Sequence, residues 1–184
     1  RIMLELQMKC RCTNLSEGRS LPRFSKFYLN EAKAHYAPDR FVDVEHIKLD
    51  IAVDLKEKSL SGTCLTRFRV VAPKVDRVTF DAIDLSVRGA SDGFGNKLEF
   101  EQTPSKVIVR LSKAQNTGEI GEIVLRYDVV EPRAGLYFIS PDEHYTNRPW
   151  QLWTQGEDQD NRYWLPCHDS PNEKATTEMV VTVD

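Results

Sequence analysis

An all-β domain is the fold class this sequence predicts: an antiparallel sandwich or saddle preceded by a short, less ordered leader. Three observations predict it. Apolar residues alternate with polar ones in several segments after residue 41, turn residues separate those segments at short intervals, and no strong helical period runs through the same stretch. With 184 residues, 40% hydrophobic and 29% charged, the chain has the make-up of one globular domain with a tail, not of a disordered, collagen-like or disulfide-rich protein.

Taken in order, residues 1–40 combine an amphipathic start at Ile2, Leu4, Leu6 and Met8 with a polar, Gly-containing run over 13–22, and are expected to form the leader. The β domain is expected over 41–184. Its first strand is set by Ile47, Leu49, Ile51, Val53 and Leu55 alternating with Lys48, Asp50, Ala52 and Asp54, which puts the apolar set on one face. The tetrad Lys56-Glu57-Lys58-Ser59 turns the chain, and Gly62, Cys64, Thr66, Phe68 and Val70 form the return strand of a long hairpin. Further strands are expected over 75–80, 85–90, 97–101, 106–111, 122–130 and 177–183. Turn signals such as Asp92-Gly93, Gly95-Asn96, Thr103-Pro104 and Asn116-Thr117-Gly118 lie between several of these strands. The start at Arg1 and the end at Asp184, directly after a strand-like run, read as cuts within a longer protein.

Charge and cysteine usage narrow the partners. A net charge of −3 with no obviously basic face implies neither nucleic acid nor an anionic membrane surface. No run approaches the ~18 apolar residues of a membrane span. Cys10, Cys12, Cys64 and Cys167 form no Cys-x-x-Cys pair and are read as reduced thiols, which favours a cytoplasmic setting. His35, His46, His144 and His168 never stand as His-x-x-x-His, so no local motif supplies a metal site.

Composition shifts between residues 135 and 175, where Tyr137, Phe138, Tyr145, Tyr163 and all three tryptophans, Trp150, Trp153 and Trp164, crowd together. Rings with polar tips suit a rigid, partly wet binding surface, but they equally suit the packed end of a sandwich. Here stand Trp153-Thr154-Gln155-Gly156-Glu157-Asp158 and then Arg162-Tyr163-Trp164-Leu165-Pro166-Cys167-His168-Asp169-Ser170-Pro171. If extended, Gln155 and Glu157 project to one side, offering a carboxamide oxygen and a carboxylate to the three donors of a protonated α-amine. Gly156 between them permits close backbone approach. Arg162, Asp169, Pro166 and Pro171 read as architecture: an Arg–carboxylate pair fixes a loop, and the prolines restrict the chain. Cys167 reads as a buried small hydrophobe rather than a nucleophile, and His168 receives no ligand role.

This arrangement resembles the N-terminal domain of the M1 (gluzincin) zinc aminopeptidases, in which a Gln-x-Glu or Gln-x-Gln element precedes an Arg and a Pro-Cys-x-Asp-x-Pro run. Gly135-Leu136-Tyr137, Val44-Glu45-His46-Ile47 and the closing run from Lys174 to Val183 are similar in order and spacing, so the likeness covers roughly residues 35–184. The Trp153-to-Glu157 form looks nearest to bacterial members. The resemblance implies that Gln155 lines the pocket for the first side chain of a peptide and that Glu157 helps anchor its amine, both facing a zinc domain that follows in the chain. A glutamate at 157 fits the aminopeptidase variant better than the leukotriene-epoxide hydrolase branch, which carries two glutamines. The family's His-Glu-x-x-His helix, further Glu ligand, Gly-x-Met-Glu-Asn loop and transition-state Tyr are absent from this sequence. The chain by itself is therefore expected to hold no catalytic zinc and to hydrolyse nothing, with peptide N-termini and the catalytic domain of the parent as its partners. Two alternatives stand beside this reading: a non-catalytic M1-like interaction scaffold, and an unrelated β-sandwich binding module that uses the aromatic cluster.

Overall fold

The structure is a computed structural model that describes residues 38–183. The leader expected over 1–40 lies outside the described residues as far as residue 37, and so do Cys10, Cys12 and His35.

Eleven strands make up the described part: β1 (Val42–Asp54), β2 (Ser59–Val70), β3 (Val75–Asp81), β4 (Ser86–Asp92), β5 (Lys97–Leu98), β6 (Phe100–Gln102), β7 (Lys106–Gln115), β8 (Ile120–Val130), β9 (Leu136–Ile139), β10 (Gln151–Thr154) and β11 (Thr176–Val183). A 3-10 turn over Asn161–Tyr163 is the one helical piece among the described residues. Six strands form a sheet in the order β11-β1-β2-β8-β4-β5, three form a second in the order β3-β7-β6, and β9 with β10 make a hairpin of their own.

The alternation that predicts the first hairpin is what buries it. Leu49, Ile51 and Val53 of β1 and Leu60, Cys64, Phe68 and Val70 of β2 enter one core with Val78 and Phe80 of β3, Val107 and Val109 of β7, and Ile123, Leu125, Tyr127 and Val129 of β8. The two larger sheets thus share one apolar interior. Each such side chain contributes about 1.5–3 kcal/mol on burial, which is what a sheet needs on the face it hides. In β1 the buried positions switch from even (Val42, Val44) to odd (Leu49, Ile51) across a register shift between Val44 and His46, because one extra residue rotates the pleat to the other side.

The β9–β10 hairpin is not among the expected strands, and two features of the larger sheets also differ from the expectation. The strand expected over 97–101 divides at Glu99: β5 pairs with β4 in the larger sheet and β6 with β7 in the smaller one, so the segment is a corner between sheets. Leu98 is buried and Phe100 packs against the same core from the other side of the bend. The antiparallel pattern also has one exception, since β11 lies parallel to β1 from His46↔Thr176 to Val53↔Val183. Parallel neighbours need a long connection, and here nearly the whole domain lies between them in sequence.

Candidate functional site

Residues 135–175 are carried on the side of this scaffold by two linked pieces, the β9–β10 hairpin and the loop that follows it. In the hairpin Phe138 and Leu152 face each other and pack against the core, which fixes the register Trp153↔Tyr137 on the outer face. The Tyr137 and Trp153 rings are stacked there, 4.4 Å between centroids and 19° between planes. The connecting residues 140–150 are tied by Asp142, whose Oδ1 accepts from the backbone N–H of His144 and of Tyr145, and by Arg148, which pairs with Asp142 at 3.2 Å and lies over the Tyr145 ring.

The ladder runs one step past the hairpin. The N–H of Gln155 donates to the carbonyl of Gly135 at 3.0 Å. Gly135 has φ +78°, and a Cβ there would collide with the carbonyl oxygen of Asp160 and the Trp164 ring, so both its backbone and its lack of a side chain are required. Beyond Gln155 the chain leaves the strand: 157–160 form a turn closed by Asp160 N–H to the Gly156 carbonyl at 3.0 Å, and the 3-10 turn follows. The extended conformation that would set Gln155 and Glu157 on one side therefore stops short of Glu157. Both side chains are exposed. The close neighbour that Gly156 admits is the Asn161 side chain, which would overlap a Cβ at this position.

Arg162 and Asp169 are brought together as a loop clamp. Asp169 Oδ2 accepts from the Arg162 backbone N–H at 3.1 Å and from its Nε at 3.0 Å, while an Arg162 Nη donates to the Asp169 carbonyl at 3.0 Å. The Asp169 side chain is 5% exposed and that of Arg162 19%. This clamp is fastened to β3 at Asp81. Asp81 and Cys167 exchange backbone hydrogen bonds of 2.7 and 3.1 Å, and Asp81 Oδ2 accepts from the Asp169 N–H at 3.1 Å. Burial works to raise the Asp81 pKa, but the bond from Lys106 at 2.9 Å, the Asp169 N–H and the Lys106 and Arg162 charges outweigh it and hold the carboxyl below its ordinary value. Pro166 is fully buried and Pro171 exposed. Cys167 is buried, and burial, followed by the nearby Asp169 charge, pushes its thiol pKa well up. Cys64, which donates to the Pro166 carbonyl at 3.5 Å, is pushed up to about 12 by burial. A thiol held protonated in this way is a poor nucleophile.

The aromatic cluster does not act as a unit. Trp164 is 4% exposed and packs in the core, whereas Trp150, Trp153 and Tyr145 lie open. Glu173, which the sequence does not single out, is a further fastening: its buried carboxylate accepts from the Val44 N–H at 2.8 Å and pairs with Arg40 at 2.9 Å. No local pattern signals it, because both partners are about 130 residues away in the chain. A cavity of about 350 Å³ lies between β1, β11 and the 158–173 loop, with Asp158, Asn161, Trp164, His168 and Met179 on its walls; Gln155 and Glu157 are not among its lining residues. Among the described residues no group of three or more His, Cys, Asp or Glu stands close enough to hold a metal ion, so these residues do not fit a zinc site.

Comparison with known proteins gives four matches. The peptidase M1 N-terminal domain family matches residues 34–184. Among solved structures, the chain is similar to an M1 zinc metallopeptidase variant from Deinococcus radiodurans bound to a Tyr-Ser-Ala substrate, with 30% identity, a TM-score of 0.64, and coverage of 78% of this chain and 33% of that one. The fold is shared with leukotriene A4 hydrolase from Saccharomyces cerevisiae at 17% identity and a TM-score of 0.64, over 77% of this chain and 23% of that one. A curated relative, transcription initiation factor TFIID subunit 2 of Danio rerio, is 28% identical over 81 residues, 43% of this chain and 7% of that protein. The chain thus spans about a third of the length of the Deinococcus metallopeptidase and a smaller share of the other two.

Proposed function

The chain belongs to the peptidase M1 N-terminal domain family, and from that premise we propose that it is the substrate-facing part of a zinc-dependent aminopeptidase, with residues 41–184 as the β domain. Gln155 would line the pocket for the first side chain of a peptide, and the Glu157 carboxylate would accept hydrogen bonds from the N-terminal ammonium. A charge-assisted contact of this kind favours a free N-terminus over an internal peptide bond. The observation that carries the reading is the placement of the Gln155-Gly156-Glu157 element, its first residue held by the Gly135 carbonyl and its last opening a turn, with both functional side chains exposed. Exposed side chains are what a cleft shared between two domains requires of one partner.

In this proposal the zinc and its ligands belong to another part of a longer protein, against which this domain packs. Among the described residues no helix is long and apolar enough to cross a membrane; a cytoplasmic location is part of the proposal and rests on the reduced cysteines. The architectural roles of Arg162, Cys167 and Asp169 are supported by the clamp on Asp81 and that of Pro166 by its burial, while Pro171 is proposed only as a restriction on the chain.

The test is an aminopeptidase assay of the full-length parent on a panel of aminoacyl chromogenic substrates. We expect Glu157→Ala to lower kcat/KM about tenfold or more on every substrate, the ~1.4 kcal/mol or greater of a charged contact, and Gln155→Ala to act in the same direction. Unchanged activity in Glu157→Ala would remove the anchor while leaving the family in place. A second reading is favoured by the TFIID subunit match: a non-catalytic scaffold that uses the same fold to bind proteins. A parent inactive with zinc supplied would establish that reading instead.

A further inference from the structure

The outer face of the β9–β10 hairpin carries more than the anchor uses. Trp153 and Gln155 are two residues apart on a ladder that continues through the Gln155-to-Gly135 hydrogen bond, so their side chains rise from the same face. Leu152 and Phe138, on the opposite face, are taken up by the core. Trp153 nevertheless remains 48% exposed, although its ring is already stacked on Tyr137 at 4.4 Å. A large apolar ring left half bare but held in one plane is a preorganised contact: little rotamer entropy remains to be lost when a second apolar group lies against it. The polar members of the same face, Gln151 and Gln155, carry no charge.

We propose that the stacked Tyr137–Trp153 pair is a specificity wall beside Gln155, selecting peptides whose first side chain is large and apolar, above all aromatic; this rests on the reading that Gln155 and Glu157 receive the N-terminal residue. Trp153 makes the contact. Tyr137 is a positioning residue that holds the indole plane from behind. Aromatic pairing beyond simple area burial is enough to bias a panel of substrates by roughly tenfold.

The experiment compares kcat/KM of the full-length parent on Tyr-, Phe-, Leu- and Ala-p-nitroanilide for wild type, Trp153→Ala, Trp153→Phe and Tyr137→Ala, with thermal melting of each variant. Expected is a loss of about tenfold on the Tyr and Phe substrates in Trp153→Ala, a change within about twofold on the Ala substrate, recovery in Trp153→Phe, and an intermediate loss of selectivity in Tyr137→Ala. An equal fall across the panel would overturn the wall and mark the pair as plain packing; so would an unaltered Tyr-to-Ala ratio in a variant that melts like wild type. Glu157→Ala, run alongside, separates the two ideas, because loss of the anchor lowers all substrates alike while loss of the wall changes their ratio. A parent that hydrolyses none of the panel overturns both.

Discussion

Between β2 and β8 the side chains that decide the fold are apolar and point inward: Cys64, Phe68, Ile123, Leu125 and Tyr127 are all buried, and the ladder runs unbroken from Ser59↔Val130 to Arg69↔Ile120. Between Gly135 and Pro171 the hairpin is four residues a side and most of the chain is irregular; Leu136, Trp164, Leu165 and Cys167 reach the core, and a set of part-buried polar contacts centred on Asp169, Asp81 and the Gly135 carbonyl is added to that packing. The difference lies in how each tolerates change. An apolar core loses stability in proportion to the volume removed, whereas a buried polar clamp leaves a charge without its partner as soon as one member goes. A region that must present particular side chains at its surface is better served by the second kind of restraint, because directional bonds fix position as well as compactness.

Three substitutions break or sharpen this comparison. Phe68→Ala, at a residue with 0% exposure, is expected to lower the unfolding free energy by about 3–5 kcal/mol in urea titration, affecting the whole sandwich. Asp169→Ala is expected to lower it by about 2–3 kcal/mol, less than a fully buried pair would because Arg162 keeps some contact with solvent. Hydrogen exchange would sharpen the contrast here: amides of 162–169 should lose protection while those of β2 and β8 keep theirs. Uniform loss in both regions would show that clamp and core are one cooperative unit.

Asp81→Asn should have the smallest effect, visible mainly in its pH dependence. The folded-state pKa of Asp81 is held below its ordinary value, so its contribution is complete above the ordinary value and is lost as the pH falls from there through the lower folded-state value. The variant should be less stable near neutrality and should show a flatter decline in stability below about pH 4. A wild-type slope retained in the variant would assign the acid sensitivity to another carboxylate.

Much of the sandwich is legible in the sequence because period-2 alternation and turn residues are local signals. Ile47 to Leu55 and Cys64 to Val70 announce both their strands and their buried faces. The corner at Glu99 escapes because Leu98 and Phe100 alternate like any strand while serving different sheets. The β9–β10 hairpin escapes for another reason: only Leu136, Phe138 and Leu152 of it turn inward, and the exposed Trp153 and Trp150 hide the period. At the site, the residue types of Arg162 and Asp169 announce a pair. The alternation argument for Gln155 and Glu157 does not carry through, since the strand ends at Thr154 and a turn begins at Glu157. Glu173 and Asp81 could not have been found locally, because each acts on backbone far away in the chain.

The last strand has a practical side. All eight residues of β11 are exposed, Met179, Val180 and Val181 alternate so that apolar surface lies on both faces, and β11 stands at the rim of the six-stranded sheet. A rim strand that is apolar on two sides is a template for intermolecular pairing, and natural sheets blunt such templates with charge. Here the one ionised side chain on the strand, Glu178, is engaged by Lys48 of β1 at 2.6 Å. Handled as an isolated polypeptide, the domain would thus carry an aggregation hazard in one short stretch, and a second charge placed at Val180 or Val181 is a simple way to blunt it.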